Sequence, residues 1–310
     1  MGISACLLGQ EVRYDGGHKR DPFLADTFGR FVEWVPVCPE VEAGFGTPRE
    51  AMRLVGASDG IRLMTVKSGK DVTKRLDVAV GQRMRTLAAE QLSGYILKRG
   101  SPSCGLMRVK VYDVSGTSST PGRGLFAAAL SEQFPYLPIE EEGRLTDPRL
   151  RENFIERVFA YWRLRGLFAP RWTVASLMRF HSAHKLILMA HSPVGATSLG
   201  RIAARASSVG RAATEQQYSE GFMKTLALIA TSRRHTNVLQ HIAGYCKRLI
   251  DHDSRQELAT TIEDYRLGLV PLIVPITLIR HHVRAHRVSY LADQLYLAPH
   301  PKELMLRNHT

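Results

Sequence analysis

Three cysteines are the residues of this chain best suited to chemistry, because each follows a predicted strand. Their flanks are rich in glycine, proline, serine or acidic residues, unlike the core positions of strands. In open α/β sheets, ligands bind in the crevice at the carboxyl ends of the strands. The three residues are Cys6, Cys38 and Cys104. We therefore expect their thiols to converge on one site.

Three converging thiolates repel one another, so a cation must hold them together. Soft thiolate ligands suit zinc or an iron–sulfur cluster, and three ligands leave one metal position open for a substrate atom. The cysteines lie far apart in the chain, so no Cys-x-x-Cys spacing favours either centre. The alternative is that they are small buried hydrophobic residues, as free cysteines often are. Cys246 lies in a helical pattern and is expected to be a core residue.

A zinc deaminase is the first enzyme class to compare with this pattern. Cys38-Pro39-Glu40 matches the half of the deaminase signature in which a metal ligand precedes a glutamate by two positions. The other half requires Pro-Cys-x-x-Cys, and residues 101–105 (Ser-Pro-Ser-Cys-Gly) supply a single cysteine. The sequence therefore disfavours a deaminase.

The elements that carry the cysteines alternate between strand and helix. Asp71 can cap a helix over 72–92, whose apolar residues recur at helical spacing. Strands are predicted at 31–37, 61–66, 94–98 and 107–112, and further helices at 22–29 and 124–133. The strand–helix–strand order predicts an α/β Rossmann-like N-terminal domain with a parallel sheet.

The second half of the chain shows helical patterns almost throughout. Residues 140–147 are polar and turn-like, and we place the domain boundary there. The sequence thus predicts a cysteine-bearing domain at 1–145, followed by an all-α C-terminal domain at 146–310.

The positive charge of the chain is concentrated in the helical half. Residues 1–146 hold 19 basic and 17 acidic residues, whereas residues 147–310 hold 23 and 12, within a net charge of +13. Such asymmetry indicates a polyanionic partner such as RNA, and the alternative is a solvated helical surface. The arginines near helical spacing are Arg201, Arg205, Arg211, Arg280, Arg284 and Arg287.

Three histidines of the helical half are a second candidate metal site. His181 and His184 are neighbours on a helix, and His191 lies close to the same stripe. We expect capping or surface roles instead, because no carboxylate or cysteine joins them. No apolar run reaches the roughly 20 residues of a membrane span, and the first residues lack the pattern of a signal peptide. We therefore expect a cytoplasmic protein with no membrane partner.

Five motifs in order resemble the DUF523 family, which includes the thiouracil desulfidases. They lie at residues 4–9, 12–17, 36–44, 48–49 and 101–105 and span about residues 1–145. The segments 180–191 and 296–304 resemble the DUF1722 (YbgA-like) domain. Family members usually have more residues of strand before the first cysteine motif, so we expect either that the strand preceding Cys6 is clipped or that the true start lies upstream.

The resemblance implies a [4Fe-4S] cluster held by Cys6, Cys38 and Cys104. It also implies an enzyme that removes sulfur from a small thiolated pyrimidine, such as thiouracil, without net redox change. A thiolated nucleoside or tRNA base is the larger form of that substrate. Two other functions stay open, namely an RNA-binding protein and a zinc-binding scaffold without catalysis.

Within the resemblance, the catalytic roles fall on a carboxylate that activates water and on loop serines that donate hydrogen bonds. We favour Glu42 over Glu40 as the base, because Glu40 beside Pro39 organises the loop. The alternative for both is loop hydrogen bonding or pairing with Arg49. The other candidates are Ser101 as a catalytic residue, and Ser103, Arg13, Asp15 and Lys98 as substrate-binding residues or structural partners.

Overall fold

The computed structural model describes residues 1–57, 60–113 and 115–309, and the chain divides between Thr146 and Asp147 into two units. The strands of the first unit are β1 (Gly2–Ser4), β2 (Val35–Val37), β3 (Met52–Ala57), β4 (Gly60–Thr65), β5 (Tyr95–Leu97), β6 (Val109–Tyr112), β7 (Ser118–Gly122) and β8 (Ile139–Glu141). Its helices are α1 (Pro39–Glu42), α2 (Thr73–Ala89) and α3 (Leu125–Gln133). Short helical turns lie at Ala5–Leu8, Phe23–Thr27, Phe28–Phe31 and Arg144–Thr146.

The central sheet is parallel throughout, in the order β2-β1-β5-β8. Ile3 lies opposite Pro36 on one side and opposite Ile96 on the other. Ile3 and Ile96 are fully buried, and each stabilises the fold by roughly 1.5–3 kcal/mol. The α/β class predicted from the strand–helix order is therefore confirmed.

β1 has three residues and pairs with a neighbour on each side, β2 and β5. A Cβ atom at Gly2 would lie 2.1 Å from Cδ2 of Tyr95, so the ring of β5 covers this position. The absence of a side chain at residue 2 is what allows the two strands to pair here.

A second sheet, in the order β4-β3-β6-β7, was not predicted as a separate layer. β3 pairs antiparallel with β4 and parallel with β6, while β6 pairs antiparallel with β7. The predicted strand over 31–37 is also shorter than expected, because only Val35–Val37 pairs. Residues 28–31 form a helical turn instead, and the fully buried Phe28 packs edge-to-face with Trp34.

The second unit is helical, as predicted. Its helices are α4 (Pro148–Leu167), α5 (Val174–His191), α6 (Pro193–Ala204), α7 (Ala206–Val209), α8 (Arg211–Ala227), α9 (Ser232–Cys246), α10 (His252–Arg266), α11 (Ile273–Ala285) and α12 (Ser289–Ala292). Asp147, Thr173 and Asp251 cap three of them through side-chain oxygens. None of the described helices combines the length and apolarity needed to cross a membrane.

Candidate metal centre and active-site cavity

Cys6, Cys38 and Cys104 line one cavity of about 390 Å³. Cys6 lies in the helical turn directly after β1, Cys38 directly follows β2, and Cys104 lies in the loop after β5. These three strands are immediate neighbours in the parallel sheet. The sheet therefore brings together three thiols that are 32 and 66 residues apart in the chain.

The surroundings of the three thiols disfavour a free negative charge. Burial, together with the neighbouring Cys38, raises the pKa of Cys6 to about 11. Burial likewise raises the pKa of Cys38, and burial together with Glu40 and Cys38 raises that of Cys104 well above its usual value. A bound cation reverses this balance, because it stabilises the thiolates that burial destabilises. The donor set thus fits an iron–sulfur cluster in its chemistry.

A mononuclear metal site and a cluster differ in the spacing of the thiolates that they require. Among the residues that the structure describes, no group of three histidine, cysteine, aspartate or glutamate side chains is arranged to hold a metal ion. One zinc ion would require its thiolates about 3.8 Å apart, given Zn–S bonds of about 2.3 Å. A cluster distributes its cysteines over several iron atoms and so accepts a wider spacing.

The loop that carries Cys104 is organised by the hydroxyl of Ser101. Its Oγ accepts hydrogen bonds from the amides of Ser103, at 3.2 Å, and of Cys104, at 3.0 Å. A Cβ atom at Gly105 would lie 2.8 Å from the carbonyl oxygen of Ser101 and 2.4 Å from Cγ2 of Val109. Ser101 lines the cavity, while Ser103 is fully buried outside its lining. The loop is therefore held tightly around the sulfur atom.

Glu40 is the carboxylate that the structure brings into the cavity lining. Its Oε2 accepts two hydrogen bonds from Arg49, at 2.9 and 2.6 Å. Its Oε1 accepts one from Ser103 Oγ, at 2.8 Å, and a longer one of 3.5 Å from Ser101 Oγ. This carboxylate is fixed in orientation by partners on both of its oxygens.

Glu42, the base favoured from the sequence, is not in the cavity lining. Its carboxylate accepts hydrogen bonds from Nε and Nη2 of Arg83 on α2, at 2.8 and 2.5 Å. Residues two apart on a helical turn point in nearly opposite directions. When Glu40 faces the cavity, Glu42 therefore faces α2.

Some of the remaining substrate-binding candidates line the cavity and others do not. Arg13 and Lys98 line the cavity, whereas Asp15 does not. The Asp15 carboxylate is exposed and accepts hydrogen bonds from Nε and Nη2 of Arg13, at 3.1 and 3.0 Å. Lys98 pairs through Nζ with Glu142. Asp15 thus acts as a structural partner of Arg13.

Three residues lie near the site although the sequence analysis did not identify them as site residues. Ser4 lines the cavity, and its Oγ accepts the amide of Lys98 at 2.9 Å. Glu141 is buried and accepts the amides of Leu106 and Met107, at 2.7 and 3.2 Å. Glu142 accepts the amide of Arg99 at 2.7 Å. The polar residues 140–142 indicated a linker, whereas Glu140 and Glu141 belong to β8 and Glu142 directly follows it. Glu141 and Glu142 anchor the cysteine loop through its backbone amides.

The histidines of the helical unit have separate partners. His181 Nδ1 lies 3.0 Å from the hydroxyl of Tyr218, and His184 Nδ1 lies 2.8 Å from the carbonyl of Phe180. His191 lies between Glu156 Oε1, at 2.6 Å, and the carbonyl of Leu228. His184 and His191 are buried, so the expected surface role is wrong for both.

A parallel-sheet α/β unit with a three-cysteine cavity, followed by a helical unit, defines the class of this protein. A sequence model of the 2-thiouracil desulfurase family matches residues 1–142, and one of the DUF1722 family, described as a protein of unknown function, matches residues 185–301. The chain belongs to the 2-thiouracil desulfurase (DUF523) family through its first unit and to the DUF1722 family through its second. Both resemblances found in the sequence are thereby confirmed.

Two curated relatives and one solved structure are similar to parts of the chain. Uncharacterized protein YbgA of Escherichia coli (strain K12) is 32% identical over 161 residues, which is 52% of this chain and 95% of the relative. Uncharacterized protein YbbK of Bacillus subtilis (strain 168) is 33% identical over 144 residues, which is 45% of this chain and 93% of the relative. The structure of the [4Fe-4S]-dependent thiouracil desulfidase TudS is 33% identical, covers 47% of this chain and 92% of its own, and has a TM-score of 0.39.

Proposed function

We propose that this protein is an iron–sulfur-dependent desulfidase that replaces the sulfur of a thiolated pyrimidine with oxygen from water. The observation that carries the proposal is the lining of one cavity by three cysteines from the ends of three neighbouring parallel strands. The match of residues 1–142 to the 2-thiouracil desulfurase family supports it. In the overall reaction one C=S bond and one water molecule become one C=O bond and hydrogen sulfide, so no electron donor is needed.

Cys6, Cys38 and Cys104 would hold a [4Fe-4S] cluster, the group that the family resemblance implies. With three cysteine ligands the bound cluster would supply a Lewis acid that polarises the thiocarbonyl group. The cavity of about 390 Å³ lies at the lower end of the usual range for small-molecule sites. This size suits a single pyrimidine ring.

Glu40 is the group best placed to orient the attacking water and accept its proton. It lines the same cavity as the three cysteines. Arg49 occupies Oε2 with two hydrogen bonds, while Oε1 has one strong partner in Ser103 and a long contact to Ser101. Oε1 therefore retains acceptor capacity toward water. Glu42 has no comparable position, because its carboxylate is held by Arg83.

Arg13 and Lys98 line the cavity with positively charged hydrogen-bond donors. Each is held by a carboxylate, Arg13 by Asp15 and Lys98 by Glu142, so that their positions are set before a substrate arrives. Hydrogen bonds from such groups stabilise the negative charge that develops on the ring during attack by water. These roles make Arg13 and Lys98 the substrate-binding residues of the proposal.

The test uses the full chain, reconstituted anaerobically with iron and sulfide and supplied with 2-thiouracil in ¹⁸O-labelled water. The proposal predicts uracil with one ¹⁸O atom and an equal amount of sulfide. A reconstituted protein that carries iron and converts neither 2-thiouracil nor 4-thiouridine would contradict the proposed activity. A colourless protein loaded with zinc would favour the scaffold function instead. A thiolated tRNA serves as the third substrate, and its faster conversion than free 2-thiouracil would favour RNA binding by the helical unit.

A further inference from the structure

A cavity of about 650 Å³ in the helical unit is lined by four cationic side chains, of which Arg307 pairs with Glu152 and Glu156. It lies between α11 and the carboxyl-terminal segment 297–308, and so is separate from the cysteine cavity. Arg280, Arg284 and Lys302 line it, and none of them pairs with a carboxylate among the residues that the structure describes. Glu303, also in the lining, contributes a single opposing charge. The unpaired side chains thus leave this cavity positively charged.

Arg280 and Arg284 are one helical turn apart on α11 and face the same cavity. Like charges at this spacing repel each other and destabilise a helix. An anion between them removes the repulsion, and a phosphate group has enough oxygens to accept from two guanidinium groups at once. The other four arginines of the basic pattern do not line this cavity. Arg211, for example, donates to the carbonyl of Trp172 and stacks on its ring.

The rest of the lining is largely apolar and includes one imidazole with an unused nitrogen. Ile273, Ile276, Leu297 and Leu306 contribute aliphatic surface. His300 Nδ1 lies 3.2 Å from the carbonyl of Pro301, while its Nε2 is buried without a hydrogen-bond partner among the described residues. With a proton on Nδ1, Nε2 is an acceptor that can take an N–H from a ligand. The cavity thus combines an apolar floor, an acceptor and a cationic rim.

We propose that this cavity binds a nucleotide, with the phosphate between Arg280 and Arg284 and the base on the apolar floor. The volume of the cavity lies well within the usual range for ligands of that size. The nucleotide is either free or one unit of an RNA strand, and the same phosphate chemistry recognises both. This site is independent of the desulfidase proposal, because every residue in it belongs to the second unit.

The test titrates the full chain with uridine 5′-monophosphate (UMP), with uridine and with an octauridylate, by calorimetry at low salt. UMP is expected to bind at least about tenfold more tightly than uridine, because charge-assisted hydrogen bonds to the phosphate are lost in the nucleoside. Arg280→Gln/Arg284→Gln should weaken UMP binding by at least about tenfold. The matched control, Arg201→Gln/Arg205→Gln at the carboxyl end of α6, removes the same charge outside the cavity and should stay within about twofold.

The RNA arm distinguishes the two sources of the nucleotide. If a strand is the ligand, octauridylate binds far more tightly than UMP, and the Gln double variant lowers its log–log salt slope by about 1.4, or about 0.7 for each phosphate contact. If the free nucleotide is the ligand, UMP binds at least as tightly as octauridylate. Should the Gln variant fail to fold, Arg280→Lys/Arg284→Lys keeps the charge but loses the guanidinium forks, and should weaken binding less. Equal losses in the α6 control, equal binding of uridine and UMP, or no binding of UMP and octauridylate would overturn the proposal.

Discussion

Arg49 donates two hydrogen bonds, from Nε at 2.9 Å and from Nη2 at 2.6 Å, to the same oxygen of Glu40. The third nitrogen of its guanidinium, Nη1, donates to the carbonyls of Val12 and Gly46, both at 2.9 Å. One side chain thus joins its own loop to α1 and to the loop at Val12 beside the cysteine cavity. Pairing with Arg49 was the structural alternative considered for both glutamates, and it is found for Glu40.

Arg49→Gln should destabilise the first unit strongly. The Arg49 and Glu40 side chains are only 6% and 12% exposed, and removal of one partner from a buried pair costs about 3–5 kcal/mol. Arg83→Gln is the matched control, because the Arg83 and Glu42 side chains are each 25% exposed and such pairs are worth about 1 kcal/mol or less. Urea unfolding of the full chain measures both. Equal losses in the two variants would contradict the role given to Arg49.

Glu40→Gln should lower kcat by roughly 10²–10⁴-fold, the usual contribution of a positioned general base. Gln keeps the size of the side chain and can still accept a hydrogen bond, so binding of the substrate should change less. Glu42→Gln should leave kcat within about threefold, because that carboxylate is turned away toward Arg83. Steady-state kinetics with 2-thiouracil checks both variants. A larger loss in Glu42→Gln would return the catalytic role to Glu42.

Ser101→Ala should loosen the loop that carries Cys104. It leaves the amides of Ser103 and Cys104 without their acceptor, at a cost of about 1–3 kcal/mol for each buried group. The rate at which a chelator removes iron from the reconstituted protein should therefore rise. Ser131→Ala on α3 serves as the control, because that hydroxyl bonds only to the carbonyl of Ala127 among the residues that the structure describes. An unchanged rate in Ser101→Ala would show that the loop does not need this hydroxyl.

The stability of the helical unit should depend on pH through Glu152. Burial raises the pKa of Glu152 from 4.5 to about 7, despite the opposing charge of Arg307. Between these values the folded state holds a proton that the unfolded state releases, so stability falls as pH rises from about 4.5 to about 7. Glu152→Gln should remove this part of the slope, whereas Glu220→Gln, at an exposed site, should not. Urea unfolding followed by far-ultraviolet circular dichroism at several pH values provides the measurement.

Glu156, which shares Arg307 with Glu152, changes the pH dependence of stability in the opposite direction. The hydrogen bond with His191 and the charge of Arg307 outweigh burial and hold the pKa of Glu156 well below its usual value. Its contribution to stability is therefore present above about pH 4.5 and is lost as the pH falls toward that lowered pKa. A wild-type profile that rises steadily from pH 4.5 to 7 would contradict the assignment of the raised pKa to Glu152.

The sequence predicts the cysteine cavity well because strand ends are local features. Each cysteine follows a short apolar run, and parallel strands place their carboxyl ends at one edge of the sheet. The helical class of the second half is equally local, since spacing and caps define each helix. The convergence of the three thiols depends in addition on β2, β1 and β5 being neighbours in the sheet.

What the sequence does not predict depends on distant contacts. The choice between Glu40 and Glu42 rests on the orientation of α1, which is tied to α2 by the pair of Glu42 with Arg83, 41 residues away. β8 was missed because its glutamates look solvated, whereas Glu141 is buried by accepting backbone amides about 35 residues earlier in the chain. The pairing of β8 with β5 becomes clear only when the sheet order is known.

The most direct test of the account is the iron and acid-labile sulfide content of the full chain after anaerobic reconstitution. The account predicts about four of each per chain for the wild type. It also predicts a loss of most of both in Cys6→Ser, Cys38→Ser and Cys104→Ser, with no loss in Cys246→Ser, whose thiol lies in α9 of the other unit. Full iron and sulfide content in any of the first three variants, or stoichiometric zinc in their place in the wild type, would contradict it.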